Sequence, residues 1–212
     1  MGGKGSRGRQ AGGPGRVDTN TLLSAAWQMF ADTGFEASSV RDLSARLGIS
    51  HNTITKRYGS KELLWFAAID HGFAAFNREL APTISTLVDD EPERQFRRVT
   101  ESFLRAALRE PHAVRLLNVE GLRDGPRLRY IYRTHIEPLA KLVDSALVRA
   151  RRNGTTMNVP TRSLFFAVAH GAAAPFSLAA LSRQFDSLGE GLETEQHIQV
   201  MADFIINGLT RV

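Results

Sequence analysis

Apolar residues recur at helical spacing along almost the whole chain, and no convincing stretch alternates with the two-residue period of a strand. After Asp18 as a cap, Leu22, Leu23, Ala26, Trp27 and Phe30 make one stripe. Val40, Leu43 and Leu47 make a shorter one, Ile54 and Tyr58 a third, and Leu63, Leu64, Ala67, Ala68 and Ile69 a fourth. Further on, Phe96, Val99, Phe103, Ala107 and Leu108 form a stripe with Pro92 near its start, and Val114 to Leu122 reads as a short apolar helix. Pro126 to Asn153 reads as a long helix bent near Pro138. Its end carries Arg149, Arg151 and Arg152 before Gly154, cations placed where a helix dipole favours them. Two helices close the chain, roughly Pro160 to Arg183 and Glu195 to Leu209. The fold class predicted is all-α.

The stretch from Ser39 to Leu64 carries the chemistry. Ser39, with Asp42 three residues on, resembles a capping box that opens a short helix, and Gly48 stops that helix where a reversal needs a left-handed backbone. Ser50 then caps a second short helix, with Ile49 placed to pack on Ile54 as a hydrophobic staple. Ile54 and Tyr58 anchor its inner side. His51, Asn52, Thr55, Lys56 and Arg57 remain outside, the arrangement that a DNA major groove accepts. Gly59 ends the helix, Ser60 caps the next, and Lys61 projects close to phosphate. A helix, a glycine turn and a helix also occur in all-α proteins that never touch DNA.

Charge changes that balance. Residues 1–60 hold eight cations and four acids, net +4 of the chain's +5, whereas the remaining residues hold 19 cations against 18 acids. The positive potential therefore belongs to one end, as expected if only that end faces a polyanion. The opening MGGKGSRGRQAGGPGR, with seven glycines and no apolar run, reads as a disordered basic arm. Arg7 and Arg9 in it are placed to lie along phosphates or enter a minor groove, the alternative being a solvated tail without a role. It lacks the apolar core of an export signal. With no cysteine and no apolar run near twenty residues, the chain reads as soluble and cytoplasmic, without a membrane partner.

From Thr21 to Leu64 the sequence resembles the N-terminal domain of the tetracycline-repressor (TetR) family of bacterial transcription regulators. The matching positions are Met29-Phe30, Gly34-Phe35, Ser39-Val40, Gly48 and Ser60-Lys61-Glu62, and they cover about a fifth of the chain. The resemblance implies that His51, Asn52, Lys56 and Arg57 face the groove and that Thr53 and Lys61 lie near phosphate. Thr55 departs from a family Tyr, and Arg57 from a His or Tyr. Arg57 either supplies the missing phosphate contact or reads a guanine edge. The candidate DNA contacts are thus Arg7, Arg9, Ser39, Ser50, His51, Asn52, Thr53, Thr55, Lys56, Arg57, Tyr58 and Lys61.

The penultimate helix is apolar nearly all round, with Ala167, Gly171 and Ala174 at close-packing spacing and Pro175 set to kink it. A helix with no solvated face suggests a partner subunit, and the resemblance implies a homodimer sealed by two such helices from each protomer. Candidate interface residues are Ala167, Gly171, Ala174, Leu178, Ile198, Met201 and Ile205. Candidate effector contacts are Phe103, Leu117, Glu120, Tyr132, His135, Phe166 and His170, apolar groups on the middle helices with a few polar ones among them. The six histidines show no metal-ligand spacing, and no phosphate-cradling loop follows a strand, so neither catalysis nor a cofactor is expected. The organisation expected is an arm over 1–17, a helix-turn-helix domain with a connecting helix over 18–80, and a helical ligand-binding and dimerisation domain over 81–212. The function expected is a repressor that binds a palindromic double-stranded DNA operator and is released by a small hydrophobic effector. The alternative is a helical oligomeric scaffold or ligand-binding protein without specific DNA binding.

Overall fold

The structure, a computed structural model, describes residues 17–86, 91–154, 158–188 and 194–210. All regular elements among them are helices. The arm with Arg7 and Arg9 lies outside the described residues.

Three helices form the N-terminal unit: α1 (Thr19–Ala37), α2 (Val40–Arg46) and α3 (His51–Tyr58). Asp18 caps α1 by accepting from the Thr21 amide at 3.0 Å. Gly34 interrupts the last turn of α1 with φ +75°, a conformation a side chain would resist. The long α4 (Lys61–Ile84) leaves this unit and enters the rest of the molecule without a break, so the boundary expected at residue 80 falls inside its last turn. Leu22, Ala26, Trp27 and Phe30 on α1 close against Leu64, Trp65, Ala68, Ile69 and Phe73 on α4, all buried. Gly72 admits this contact, because a Cβ there would sit inside the ring of Trp27.

The larger unit comprises α5 (Pro92–Arg109), α6 (Pro111–Glu120), α7 (Pro126–Ile131), α8 (Glu137–Arg152), α9 (Thr161–Phe166), the single turns α10 (Ala174–Ser177) and α11 (Ala179–Ser182), and α12 (Thr194–Thr210). The expected bend at Pro138 takes the form of a π-helical turn over Tyr132–Ile136, where the Glu137 amide donates to the Tyr132 carbonyl five residues back. The expected kink at Pro175 is preceded by a second π turn, Ala167–Ala172, with the Ala173 amide bonded to the Val168 carbonyl. Both have one cause. A proline has no N–H to offer the carbonyl four residues earlier, and the backbone just before it widens. Pro160 to Arg183 is therefore a series of short pieces ending in a 3₁₀ turn, not one helix. The arginines closing α8 also have protein partners: Arg149 donates to Gln95 Oε1 at 3.2 Å and Arg151 to Asn158 Oδ1 at 3.0 Å.

Candidate nucleic-acid interface and effector cavity

The second helix of the pair is placed by its caps and by one buried side chain. Ser39 accepts from the Asp42 amide and Ser50 from the Asn52 amide, each at 3.2 Å, satisfying N–H groups that open α2 and α3. Gly48 and Gly59 make the reversals at φ +63° and +79°. Ile54, 2% exposed, ties α3 to the core, and the half-buried Tyr58 follows one turn on. Desolvation pushes the Tyr58 hydroxyl above its ordinary value, so it stays protonated. On the opposite side His51, Asn52, Thr55, Lys56 and Arg57 are exposed, while Thr53 is half-buried. The Thr55 hydroxyl bonds back to the His51 carbonyl at 3.3 Å, and Arg57 reaches the Val17 carbonyl at 3.5 Å, where the N-terminal segment joins α1. Lys61 is half-buried, its ammonium 4.5 Å over the Phe35 ring and donating to the Glu36 carbonyl at 3.4 Å.

Arg127 at the start of α7 binds the same corner from the larger unit. Its guanidinium lies 4.1 Å from the Phe35 ring centroid, 3.0 Å from Glu36 and 3.2 Å from Glu120. Glu120, expected from the sequence among the effector contacts, is thereby placed apart from Phe103, Leu117 and His135. Only 9% exposed, it is neutralised by Arg127 and lines a groove beside α1, away from the central cavity.

The central cavity lies between α4, α5, α6, α8 and α9 and has a volume of about 90 Å³. Phe103, Leu117 and His135 line it. Tyr132, Phe166 and His170 do not: they line an outer groove of about 740 Å³ that shares Leu117 with the cavity. Sequence spacing could not separate these two sets, because α6 and α9 contribute to both, Leu117 and Phe165 lining each.

His135 is held in a cluster that the sequence did not reveal. Its Nε2 lies 3.0 Å from Asp70 Oδ1 on α4, and the Tyr130 hydroxyl donates to that same oxygen at 2.8 Å. The imidazole stacks on Phe73 with centroids 4.5 Å apart and planes 8° from parallel. Burial pushes the imidazole below its ordinary value, Asp70 opposing this only in part. Burial, with Asp70 adding to it, pushes Tyr130 up to about 12. Tyr130 and His135 are five residues apart, a separation that a regular α-helix spreads over different faces. The π turn brings both to one carboxylate.

The candidate interface residues divide. Ala167, Gly171 and Leu178 are exposed and Ala174 is half-buried. Ile198 and Ile205, at 0% and 8% exposure, pack into the protomer's own core, since the apolar stripe of α12 lies on α5, and Ile205 also borders the groove beside Ala167. Met201 packs on the same core. The outward large apolar residues of α12 are Val200 and Phe204, the latter 74% exposed, and its last turns meet Ala167 across a shallow groove. No described helix is long and apolar enough to cross a membrane.

Residues 22–68 match the profile of the bacterial regulatory proteins of the tetR family. The HTH-type transcriptional repressor NicS of Pseudomonas putida is 28% identical over 110 residues, 52% of this chain and 51% of that protein. The HTH-type transcriptional repressor Rv3405c of Mycobacterium tuberculosis is 29% identical over 110 residues, 51% of this chain and 58% of that protein. The chain thus spans about half the length of the curated relatives it matches. Among solved structures, the ketosteroid transcriptional regulator KstR2 of Mycobacterium tuberculosis superposes with a TM-score of 0.69 at 18% identity, covering 93% of this chain and 98% of that one. AibR, solved with isovaleryl coenzyme A and operator DNA, gives 0.67 at 18% identity over 87% and 95%. These last two likenesses speak for the fold, and the profile match makes α1 to α3 and the start of α4 similar to the tetR family of bacterial regulatory proteins.

Proposed function

We propose that the chain is an effector-responsive DNA-binding regulator of transcription, acting as a repressor and binding a palindromic operator as a homodimer. The observation that carries this reading is the exposed face of α3. His51, Asn52, Lys56 and Arg57 stand free of the core on a helix fixed by two glycine turns, two serine caps and Ile54, inside a domain that matches the family profile. Asn reads adenine and Arg reads guanine through paired hydrogen bonds in the major groove, so the face has base-reading chemistry. Ser39, Ser50, Thr53, Thr55 and Lys61 are assigned to the phosphates beside it. That NicS and Rv3405c bear the names of repressors supports repression over activation.

The exposed small residues Ala167 and Gly171, with Leu178 and Phe204, are assigned to the dimer face. The cavity bounded by Phe103, Leu117 and His135 is assigned to the effector. Its wall includes α4, the helix that begins next to α3, so an occupant pressing on α4 changes how the reading helices of a dimer are spaced. The test is selection of duplexes from a random pool by the purified chain. Enrichment of an inverted repeat, with half-sites one helical turn or a multiple of it apart, is expected. Recovery of no enriched sequence, with salt-sensitive binding to every duplex alike, would reject a sequence-specific regulator.

A further inference from the structure

The central cavity and the outer groove adjoin each other. Leu117, Ile136, Ala140, Thr161 and Phe165 line both. The inner part is narrow: at about 90 Å³ it is smaller than the roughly 150 Å³ that admits benzene in an engineered apolar cavity. A fused-ring compound therefore fits only if the walls move, whereas an unbranched alkyl chain presents the slimmest cross-section an organic ligand can have. The groove outside, about 740 Å³, has room for the remainder of such a chain.

The distribution of charge selects the head. Among the described residues, the inner part is lined by no Asp, Glu, Lys or Arg; its polar side chains are Asn77, Thr100, Thr161 and His135, and His135 is already engaged by Asp70. In the outer groove, His170 and Asn118 are bonded to each other at 2.8 Å. Among the described residues, one side chain of formal charge lines either space, and it is the exposed Arg162, in the groove. A charge in the inner part would meet only apolar walls and neutral dipoles, at a high desolvation cost, while an anion in the groove meets a guanidinium.

We propose that the slot and groove form one site for a single-chain anionic amphiphile, an unbranched alkyl carboxylate with its tail in the slot and its carboxylate at Arg162. This rests on the reading of the cavity as the effector site and names the ligand class it takes.

The experiment titrates the full chain by calorimetry with octanoate, decanoate, decanol and decyltrimethylammonium, each below its critical micelle concentration. Each added methylene should tighten binding about fourfold, the factor set by burying one CH₂. Decanoate should bind about fivefold tighter than decanol, and both more tightly than the cation. Arg162→Met, which keeps the apolar stem, should bring decanoate to the level of decanol and leave decanol unchanged. Ala140→Phe, narrowing the passage between the two spaces, should remove the dependence on chain length. Equal affinity for decanoate and decanol in the wild-type chain, an anion preference that survives Arg162→Met, or no binding of decanoate would each overturn the proposal. Duplex selection on the same preparation separates the two readings. A chain that selects an operator but ignores decanoate keeps its regulatory role and has another ligand. One that binds decanoate as expected and selects no duplex keeps this site and loses the regulatory role.

Discussion

Replacing Asp70 with Ala removes one carboxylate that two half-buried groups share. The Tyr130 hydroxyl donates to Oδ1 at 2.8 Å, and His135 Nε2 lies 3.0 Å from the same oxygen. Hydrogen bonds to a charged acceptor each contribute about 1.5–3 kcal/mol. The Asp70 side chain is 51% exposed, so water already solvates part of that charge and the lower end applies. The His135 ring is only 9% exposed, and its N–H is poorly placed to recruit water once the carboxylate is gone. A loss of about 2–3 kcal/mol is expected for Asp70→Ala, against about 1 kcal/mol for Tyr130→Phe, which deletes one of the two bonds. The double variant should cost no more than Asp70→Ala alone, since both changes remove the same Tyr130 bond, giving a coupling of about 1 kcal/mol. Urea unfolding followed by far-ultraviolet dichroism measures all three. Strict additivity, or a loss under about 0.5 kcal/mol for Asp70→Ala, would refute the shared-acceptor argument.

Gly72→Ala places a methyl group in the ring of Trp27, and this overpacking, about 1–3 kcal/mol, outweighs the gain of up to about 1 kcal/mol in helix propensity. A lower urea midpoint is expected, and a higher one would show that α1 and α4 can separate without loss. A Cβ at Gly171 meets no side chain within its own protomer, so Gly171→Leu should leave the dilute chain as stable as before or more so while weakening self-association at least tenfold. Sedimentation at several concentrations decides this, and an unchanged dimer would remove Gly171 from the interface. His112, His135 and His170 are each held below their ordinary value chiefly by burial. The unfolded chain therefore takes up protons first as pH falls through about 6.5, and stability should decline from there until the folded histidines titrate. Urea midpoints between pH 7.5 and 5.5 that stay level or rise would contradict that sign.

The N-terminal unit was legible because its signals are local. Ser39, Ser50 and Ser60 do cap helices, Gly48 and Gly59 do take positive φ, and Ile54 is the buried anchor of α3. Each of those features depends on residues within a turn of one another. What failed to show depends on long-range packing or on a change of helix type. Glu120 reads as a polar group near a pocket until Arg127 and Glu36 are placed beside it. Ile198 and Ile205 read as an outward stripe until α5 is seen to cover them. The meeting of Tyr130 and His135 at Asp70 needs a π turn, and although Pro138 and Pro175 signalled irregular backbone, a proline does not say whether it kinks a helix or widens it.

The account stands most directly on the affinity of α3 variants for a selected duplex and for a scrambled duplex of equal length. Asn52→Ala and Arg57→Ala alter exposed side chains on a helix held by Ile54, so folding should be unaffected. If these residues read bases, each should lose about 1–3 kcal/mol on the selected duplex and little on the scrambled one, relaxing the preference by about 10- to 100-fold. Variants that keep the full preference, or that weaken both duplexes in parallel, would contradict the claim that α3 is the reading helix.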